Sequence, residues 1–459
     1  MERITRTITE KKVRFIDLKY PDLLGRLHHV TLPIERLESA VADGVGFDSS
    51  SVPGFRVVES GDMVLKPDLD SAFIDPFCEI PTVSCFAGMH DPLTGEPYER
   101  DPRLVLERAV AELKRVAKAP EVRILPEFEF YLFNNVSFAN DATSSVYRIE
   151  SDELRHDDRT GLSLYKGVAY EVAPPFDRSS EFRSELAELM AACGLPVKYH
   201  HHEGGRYSQV EVEPMFIPVE RAGDAIMLTK YLIRNLAFRR GKTATFMPKP
   251  LHGEPGSGLH LHIYMADGER SLFADKSGPV GLSALAAHFI GGIMDHAPSL
   301  CALTNPSTNS YRRLTPGFEA PVLVFFSVAN RTAAIRIPGY SVASGKMAIE
   351  YRIPDATANP YLGLAGILMA GRDGIARKTD PGQPLVGRIE SRDESAGAKQ
   401  LPASLAAALG ELRVDHDYLT VADVFSPALL ERWVEMKIVE VDAVAKRPHP
   451  WEYELYYGC

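Results

Sequence analysis

The sequence has few cysteines and no excess of basic residues, and each shortage argues against a class of protein. Its five cysteines are scattered without a CxxC spacing, so neither a zinc knuckle nor a disulfide framework is indicated. With 51 basic and 62 acidic residues the net charge is −11, which argues against nucleic-acid binding. An anionic substrate would therefore need local arginine residues or a metal ion.

Long apolar stretches are also missing. The longest apolar run, residues 321–326 and slightly beyond, is far too short to span a bilayer. The first residues, M-E-R-I-T-R, have no apolar core and no cleavage-like site, so they do not resemble a signal peptide. We therefore expect a soluble protein of the cytoplasm, with no membrane or nucleic-acid partner.

The pattern along the chain indicates an α+β protein with two domains. Residues 1–102 alternate short β-like runs with glycine, proline and aspartate, which predicts a small mixed-sheet domain. Asp101 and Pro102 supply a cap and a first-turn proline for a helix to about residue 117, and we place the domain boundary there. Residues 103–459 alternate helices with strands, which predicts a large antiparallel or mixed sheet flanked by helices.

Within the larger domain, apolar patterns locate the main elements. Helices are predicted at 179–193, 219–238 and 282–297. Strands are predicted at 122–131, 208–215, 258–264, 321–328 and 333–337. The low-complexity stretch 391–406 is predicted to be a mobile surface loop.

Two acids in the segment L-P-E-F-E-F-Y, Glu127 and Glu129, are the most informative local feature. Side chains alternate across a strand, so both carboxylates point to one face while Phe128 and Phe130 point to the other. Like charges on one buried face repel each other unless a cation lies beside them. A solvated strand face paired with lysine or arginine is the alternative.

Further acids and histidines follow. After a triple histidine, Glu203 lies at a Gly-Gly turn and Glu211 alternates with apolar residues. The HExxH pattern of zinc proteases fails here, because Arg206 occupies the position of the second histidine. In the later segment G-S-G-L-H-L-H, His260 and His262 share one strand face. A lone histidine is more often a structural residue, but two on one face slightly favour a ligand site.

Arginine residues complete the pattern. Arg331, Arg336 and Arg352 lie in apolar or β-like segments, and their planar forks suit carboxylates and phosphates, although surface ion pairing is the alternative. The stretch 339–347 resembles a phosphate loop. It has five residues between its glycines instead of four and no Ser or Thr after its lysine, so we reject that interpretation.

Together the acids and one imidazole form a set of hard ligands that suits Mg²⁺ or Mn²⁺ and is poor for structural zinc. The set is Glu127, Glu129, Glu203, Glu211, His260 and Glu350. With arginine for phosphate and carboxylate, it favours a two-metal phosphoryl-transfer site and leaves the acceptor open. For Asp48, in the hydroxyl-rich loop 46–54, an ordinary Asx or Ser turn is the better local interpretation.

Over essentially its full length the chain resembles the type I glutamine synthetase family. The motifs occur in the family's order: F-D-S-S-S-V at 47–52, L-P-E-F-E-F at 125–130, H-H-E at 201–203, F-M-P-K-P at 246–250, G-S-G-L-H at 256–260, 305–321, N-R at 330–331, R-I-P at 336–338, N-P-Y-L at 359–362 and H-P-W-E at 449–452. The resemblance implies a β-grasp-like N-terminal domain before a catalytic domain. It also implies ATP-dependent ligation of ammonia to the γ-carboxylate of L-glutamate through γ-glutamyl phosphate.

The resemblance further implies roles for individual residues. Two to three Mg²⁺ or Mn²⁺ ions per site are implied, one near the amino-acid substrate on Glu129, Glu203 and Glu211, and one at the ATP phosphates on Glu127, His260 and Glu350. Glutamate contacts are implied for Gly256, Arg313 and Arg352, and a flap carboxylate for Glu319. Phosphate contacts are implied for Arg331 and Arg336, ATP contacts for His262 and Tyr264, and an ammonium site for Asp48 and Ser51.

Family members assemble as two stacked hexameric rings with each site between subunits, so a homo-oligomer is implied. This sequence departs from the family pattern at Ser49, Lys198, Pro255 and Ala348, and the adenylylated tyrosine of some bacterial members is not seen in 390–402. These departures keep a γ-glutamylamine ligase, acting on an organic amine, as an alternative. An inactive structural ring is a further alternative, disfavoured because a scaffold has no reason to keep unpaired carboxylates together.

Overall fold

The computed structural model describes residues 2–153, 163–344, 347–386 and 397–459. The N-terminal part forms a six-stranded mixed sheet in the order β2-β1-β6-β4-β3, with β5 against β6. Strands β1 and β6 run parallel. The elements are α1 (Glu2–Lys11), β1 (Phe15–Pro21), β2 (Leu27–Pro33), α2 (Leu37–Ala42), β3 (Val45–Asp48), β4 (Asp62–Pro67), β5 (Phe73–Ile74) and β6 (Thr82–His90).

The second part is built on a ten-stranded sheet in the order β10-β11-β7-β14-β19-β18-β17, with β12 and β13 against β7 and β15 against β14. Strands β17 and β18 are parallel, and the pairs between β10 and β18 are antiparallel. Its strands are β7 (Glu121–Phe133), β10 (Val197–His202), β11 (Gln209–Pro214), β12 (Ile217–Pro218), β13 (Thr243–Thr245), β14 (Leu259–Asp267), β15 (Arg270–Ser271), β17 (Phe326–Val328), β18 (Ile335–Ile337) and β19 (Ile349–Tyr351).

Helices and two small sheets surround this large sheet. The hairpin β8 (Asn135–Asn140) and β9 (Ser145–Glu150) is one small sheet, and β16 (Leu323–Val324) pairs with β20 (Lys399–Gln400) in the other. The helices are α3 (Pro102–Ala117), α4 (Ser180–Ala192), α5 (Val219–Arg239), α6 (Ala284–Thr304), α7 (Ser310–Arg313), α8 (Gly339–Ser344), α9 (Pro360–Arg377), α10 (Leu405–Val414), α11 (Asp417–Thr420), α12 (Pro427–Ala445) and α13 (Pro450–Tyr456). In the described part of the chain, each helix is too short or too polar to cross a membrane.

Most of the predicted elements are confirmed within a few residues, and α3 begins as expected, with the Asp101 side chain accepting from Arg103 N at 2.9 Å. The helix predicted at 282–297 ends too early. Proline lacks the N–H that a helix interior needs, yet α6 continues past Pro298, because Leu300 and Leu303 pack against the helix that contains Gly366.

One other prediction is wrong, and another is tested only in part. The single strand predicted at 321–328 is split into β16 and β17, because the two halves pair with different partners. Of the surface loop predicted at 391–406, residues 391–396 lie outside the described residues, and the remainder is irregular except for the short strand at 399–400 and the first residues of α10, which Ser404 caps. Of the rejected phosphate loop, 339–344 forms α8, and 345–346 lies outside the described residues.

Partly buried polar contacts join the two parts. Arg103 Nη2 lies 2.8 Å from Asp68 Oδ2 in the N-terminal part and 2.8 Å from Asp224 Oδ2 on α5. Tyr231, also on α5, donates to Asp75 Oδ2 at 2.9 Å. These bonds connect the N-terminal sheet to the helix that packs on β7. The boundary after residue 102 stays a prediction.

His296, which lies between three helical segments and away from the polar face of the large sheet, predicts how the stability of the fold depends on pH. His296 on α6 lies 3.1 Å from Asp373 Oδ2 and 2.9 Å from Asp415 Oδ2, and its ring stacks on Tyr418. Burial opposes its charge, but the two carboxylates outweigh burial and raise the pKa of His296 to about 9. A raised histidine pKa stabilises the fold below the unfolded value of 6.5, and this stabilisation is lost as the pH rises through 9.

We therefore expect the free energy of unfolding of the wild type to fall between about pH 6 and about pH 9.5 by roughly 2 kcal/mol more than that of His296→Gln. Urea denaturation at both pH values measures this difference. His288→Gln on the same helix is the matched control and should keep the wild-type pH dependence. Equal pH dependence in wild type and His296→Gln would contradict the assignment.

Candidate active site

The register of the large sheet places the predicted acids and histidines on one face. Directly opposite residues of an antiparallel pair share a face, as do residues two apart on one strand. Glu127 is opposite His260, Glu129 is opposite Glu211, and Glu211 is opposite His201. On the other side of β14, His262 is opposite Glu350, and Glu350 is opposite Arg336. A single polar row therefore crosses the sheet from β10 to β18.

His260 lies at the centre of the first cluster in this row. Its Nδ1 is 2.9 Å from Glu127 Oε2, 3.5 Å from Glu129 Oε1 and 3.9 Å from Glu350 Oε1. His262 Nε2 lies 2.6 Å from the other oxygen of Glu127. All of these side chains are buried. Glu127, His260 and Glu350 bring ligand atoms within 4.8 Å of one another, which is close enough to share a metal ion.

The second cluster lies at the β10–β11 end of the row. His201, Glu203 and Glu211 also bring ligand atoms within 4.8 Å of one another. His201 Nδ1 is 3.8 Å from Glu203 Oε2, and its Nε2 is 3.4 Å from Glu211 Oε1. The Glu203 Oε2 atom is buried and has no hydrogen-bond partner.

Sequence reasoning did not include His201 and Glu213 among the candidate ligands. His201 precedes Glu203 by two residues, and Glu213 continues the alternation of Glu211, so the signal was present in the strand periodicity. Glu213 joins Glu127 and Glu211 in a third group of close acids. It also accepts a hydrogen bond from Lys198 Nζ at 2.9 Å, which neutralises one of its oxygens.

The electrostatics of the row differ between its two ends. Burial and the neighbouring Glu129 raise the pKa of Glu203 well above its usual range, and burial and Glu127 do the same for Glu211. Burial also opposes the charge of Glu127, but His262 and His260 outweigh it and hold the pKa of Glu127 well below its usual range. In the described part of the chain, Glu203 and Glu211 therefore have no lysine or arginine in an ion pair with them, whereas Glu213 beside them pairs with Lys198.

This arrangement fits a divalent cation. The donors are carboxylate oxygens and imidazole nitrogens, which hard or borderline divalent ions prefer. The orphaned Glu203 oxygen points to a missing partner, since buried polar atoms in proteins normally have one. The residues present therefore offer the kinds of donor atom that would hold Mg²⁺ or Mn²⁺.

The arginine residues have different surroundings. Arg336 and Arg352 both form ion pairs with Glu350, one on each carboxylate oxygen. Arg313 is buried and directs its guanidinium to main-chain carbonyls, donating to Ile353 O at 2.8 Å and Arg352 O at 3.0 Å. In this structure most of the donors of the Arg313 fork are therefore occupied by the backbone at the end of β19.

Arg331 and Glu319 lie on exposed loops beside a cavity of about 540 Å³. The cavity is also lined by Asn330 and Thr332, and by apolar side chains that include Val328 and Leu385. Glu319 is held through its main chain, where Arg352 Nη2 donates to Glu319 O at 3.4 Å. Its φ of 52° is a left-handed conformation that a non-glycine residue rarely adopts.

Gly256 and Tyr264, the residues predicted to contact glutamate and ATP, lie beside the row. Gly256 has no room for a side chain, because a Cβ there would lie 2.6 Å from Pro248 O and 2.7 Å from Arg313 Cγ. Tyr264, on β14 beyond His262, packs edge-on against Phe216 with ring centroids 4.8 Å apart.

Asp48 and Ser51 lie in the N-terminal part, and their hydrogen bonds stay within their own loop. Asp48 Oδ1 accepts from Ser50 N at 2.9 Å and from Ser50 Oγ at 2.6 Å, and Asp48 Oδ2 accepts from Ser51 Oγ at 2.8 Å. These bonds lower the pKa of the exposed Asp48. The local interpretation as an Asx or Ser turn is confirmed, while the ammonium role stays a prediction.

Family models match nearly the whole chain. The glutamine synthetase beta-Grasp domain matches residues 12–92, and the glutamine synthetase catalytic domain matches residues 99–456. The chain belongs to the glutamine synthetase family. It is therefore a ligase that uses ATP and a divalent metal ion, and the predicted α+β fold with a β-grasp N-terminal domain is confirmed.

Individual family members align with this chain over nearly their full length. A glutamine synthetase of Streptomyces viridochromogenes is 41% identical over 98% of this chain and 97% of its own. Among solved structures, a cryo-EM structure of Plasmodium falciparum glutamine synthetase has a TM-score of 0.89 at 25% identity, covering 99% of this chain and 98% of that one. The structure of apo GmaS without ligand has a TM-score of 0.82 at 27% identity and covers both chains completely.

The structure shows the contacts of the four residues that depart from the glutamine synthetase family pattern. Ser49 is buried and donates to Gly61 O at 2.7 Å. This bond connects the Asp48 loop to the residue that precedes β4. Pro255 accepts from Tyr131 OH through its carbonyl at 2.7 Å. Lys198 is exposed and pairs with Glu213, and Ala348 is buried next to β19.

The unbalanced acids give a test of metal binding. Glu203→Gln removes one of the repelling charges, so we expect the metal-free variant to have a midpoint of thermal unfolding about 2–5 °C above that of the wild type. The rise in midpoint on adding Mn²⁺ should in turn be smaller in the variant, because a ligand is lost. Thermal unfolding in EDTA and in Mn²⁺ measures both effects.

Glu121→Gln is the matched control, since Glu121 lies on the same strand, β7, and pairs with Arg123 at 3.0 Å outside the two clusters. It should leave the metal-induced rise unchanged. If Glu203→Gln keeps the full wild-type rise, Glu203 is not a ligand.

Proposed function

We propose that this enzyme joins ammonia to the γ-carboxylate of L-glutamate, using ATP and forming γ-glutamyl phosphate, to give glutamine, ADP and phosphate. The observation that carries the proposal is the polar row, which combines uncompensated buried acids at one end with arginine residues at the other. Such a row suits a reaction in which phosphate and carboxylate charges meet and must be neutralised together.

The metal ions would be two or three Mg²⁺ or Mn²⁺ per site. We assign Glu129, Glu203 and Glu211 to one ion, of which Glu203 and Glu211 lie within 4.8 Å of each other in a group with His201, and Glu127, His260 and Glu350 to another. When bound, such ions supply positive charge that offsets the repulsion between phosphate and carboxylate oxygens.

The chain's own residues would divide the remaining work. Gly256, Arg313 and Arg352 would hold glutamate, and the missing side chain of Gly256 lets Arg313 pack against its backbone. Arg331 and Arg336 face the transferred phosphate, where guanidinium forks match its oxygens. His262 and Tyr264 contact ATP. The Glu319 loop covers the site and keeps water from the acyl phosphate.

Asp48 and Ser51 would serve the acceptor from a neighbouring subunit. Both side chains are exposed, and Asp48 is held as a carboxylate by the hydroxyls around it. This carboxylate would attract ammonium and take its proton, because only neutral ammonia has a lone pair that can attack. The assembly would be a homo-oligomer of two stacked hexameric rings in the cytoplasm, with each site between subunits.

A γ-glutamylamine ligase is the second candidate. The observation that favours it is the cavity beside Glu319, whose volume of about 540 Å³ far exceeds what ammonium needs. Its apolar lining, including Val280, Val328 and Leu385, would accept an alkyl chain. The retained carboxylate of Asp48 favours ammonium instead, because a bulky amine would be held by apolar packing.

Steady-state kinetics separate the two candidates. We expect the wild type to be most active with ammonium, compared with methylamine, ethylamine and ethanolamine, and Asp48→Asn to raise the ammonium KM or lower kcat by about 10-fold or more. Formation of the acyl phosphate should be affected less than the ammonium-dependent step. A wild type that prefers an organic amine would establish the second candidate in place of the first.

The position of Asp48 can be tested without changing its charge. A Cβ at Gly61 would lie 2.8 Å from Asp48 Oδ1 and 3.2 Å from Ser50 Cβ, so Gly61→Ala should displace the carboxylate and raise the ammonium KM by about 2- to 10-fold. Gly46→Ala is the control on the neighbouring strand, because its Cβ would have no atom within 4 Å. Equal kinetics in the two variants would argue against a positional requirement for Asp48.

A further inference from the structure

Lys249 makes a contact that the proposed mechanism does not use. Its Nζ lies 3.5 Å from the centroid of the Phe318 ring, and Phe318 directly precedes Glu319. A lysine ammonium over an aromatic face is attracted by the ring's electron density, with more strength where water is partly excluded. Both side chains are half-buried, whereas Glu319 itself is exposed.

The main chain of Lys249 is fixed by hydrogen bonds with the side chain of Asn309. Its N–H donates to Asn309 Oδ1 at 2.7 Å, and Asn309 Nδ2 donates back to Lys249 O at 3.1 Å. Asn309 immediately precedes α7, the helix that ends in Arg313. The base of the lysine is therefore rigid, which allows its long side chain to hold a mobile partner in a defined position.

The ammonium group also reaches the loop that contains Gly256. Lys249 Nζ donates to Glu254 O, and the Glu254 carboxylate pairs with Arg206 Nη2 at 2.6 Å. Arg206 belongs to the turn between Glu203 and Glu211. One lysine thus connects the Glu319 loop, through Glu254, to the turn that carries a candidate metal ligand.

The Glu319 loop needs such an anchor. Gly317 and Glu319 both have positive φ values, 93° and 52°, so the loop has a backbone shape that its own sequence does not favour at Glu319. The loop is also held by the long bond from Arg352 Nη2 to Glu319 O. Burial lowers the pKa of Lys249 to about 8, and Glu254 opposes this shift, so the amine is mostly cationic at pH 7.

We propose that Lys249 is a positioning residue that holds the Glu319 loop over the active site through the ring of Phe318. The inference rests on the proposed function, in which that loop keeps water from γ-glutamyl phosphate. When the anchor is lost, water competes with ammonia at the acyl carbon. The C–O bond to phosphate then breaks to return glutamate and phosphate, and ATP is consumed without amide formation.

The test measures phosphate and glutamine released by the full-length enzyme with ATP, glutamate and ammonium. In the wild type one phosphate should accompany each amide. Lys249→Met keeps the length of the side chain but removes the cation, and Phe318→Leu removes the ring. Each should raise the ratio of phosphate to glutamine by about 2- to 10-fold, and the double variant should not exceed the larger single effect.

Three controls make the result specific. Lys249→Arg keeps a cation over the ring and should restore most of the coupling. Lys437→Met removes another buried lysine near an aromatic ring, 5.3 Å from the centroid of Trp433 on α12, and should keep the wild-type ratio. If Lys249→Met fails to fold, Phe318→Leu on its exposed loop still decides the matter.

The outcomes separate this proposal from the function beneath it. A wild type that makes no amide with ammonium or any organic amine contradicts the proposed function. If the wild type does make amide, but both single variants lose rate at an unchanged phosphate-to-amide ratio, the positioning role of Lys249 is overturned. If the acceptor proves to be an organic amine, the same ratio is measured with that amine.

Discussion

The structure depends on the repulsion between carboxylates that the large sheet brings to one buried face. Glu127, Glu129 and Glu211 come from two paired strands, and Glu203 reaches the same face from the adjoining turn. A buried carboxylate without a partner is costly, and several together are more so. The fold tolerates them because strand pairing is continuous on both sides of β7 and fixes the backbone whatever the side chains prefer.

The two ends of the polar row solve this problem differently. At the β18–β19 end the protein supplies its own cations, since Arg336 and Arg352 each bind one oxygen of Glu350. At the β10–β11 end no such arginine is described in contact with Glu211, and a buried oxygen of Glu203 has no hydrogen-bond partner. One end therefore has protein cations that offset its carboxylate, while the acids at the other end fit an added cation.

Much of this site was predictable from strand periodicity, and the rest depends on register. Alternation in L-P-E-F-E-F placed Glu127 and Glu129 on one face, and the same reasoning applied to His260 and His262. Periodicity cannot say which residue of a distant strand is opposite Glu129, because the partner is fixed by long-range pairing. His201 was missed because its strand, β10, was not itself predicted, and because its position opposite Glu211 is set by long-range pairing.

Element boundaries failed where a local signal was overruled by tertiary contacts. Pro298 is an ordinary stop signal, and burial of the residues after it extends α6 regardless. The apolar run at 321–328 was read as one strand, because a sequence pattern does not reveal that its halves hydrogen-bond to different neighbours. Helix α9 was not predicted, although Asn359 and Pro360 form a cap and a first-turn proline like those that identified α3.

The rigid row and the loops around it have separate physical requirements. The row needs exact spacing, and strands provide it, since each carboxylate is held by the pairing of its neighbours. Asp48 and Glu319 instead lie on exposed segments outside that sheet, and their proposed roles would require each to meet a substrate after it binds. Local contacts are present at each segment: serine hydroxyls donate to Asp48, and Lys249 lies over the ring of Phe318, next to Glu319. In the proposed mechanism, charge placed by the sheet would therefore stay fixed, while the groups proposed to admit the acceptor and to exclude water lie on segments that the strand pairing of this sheet does not hold.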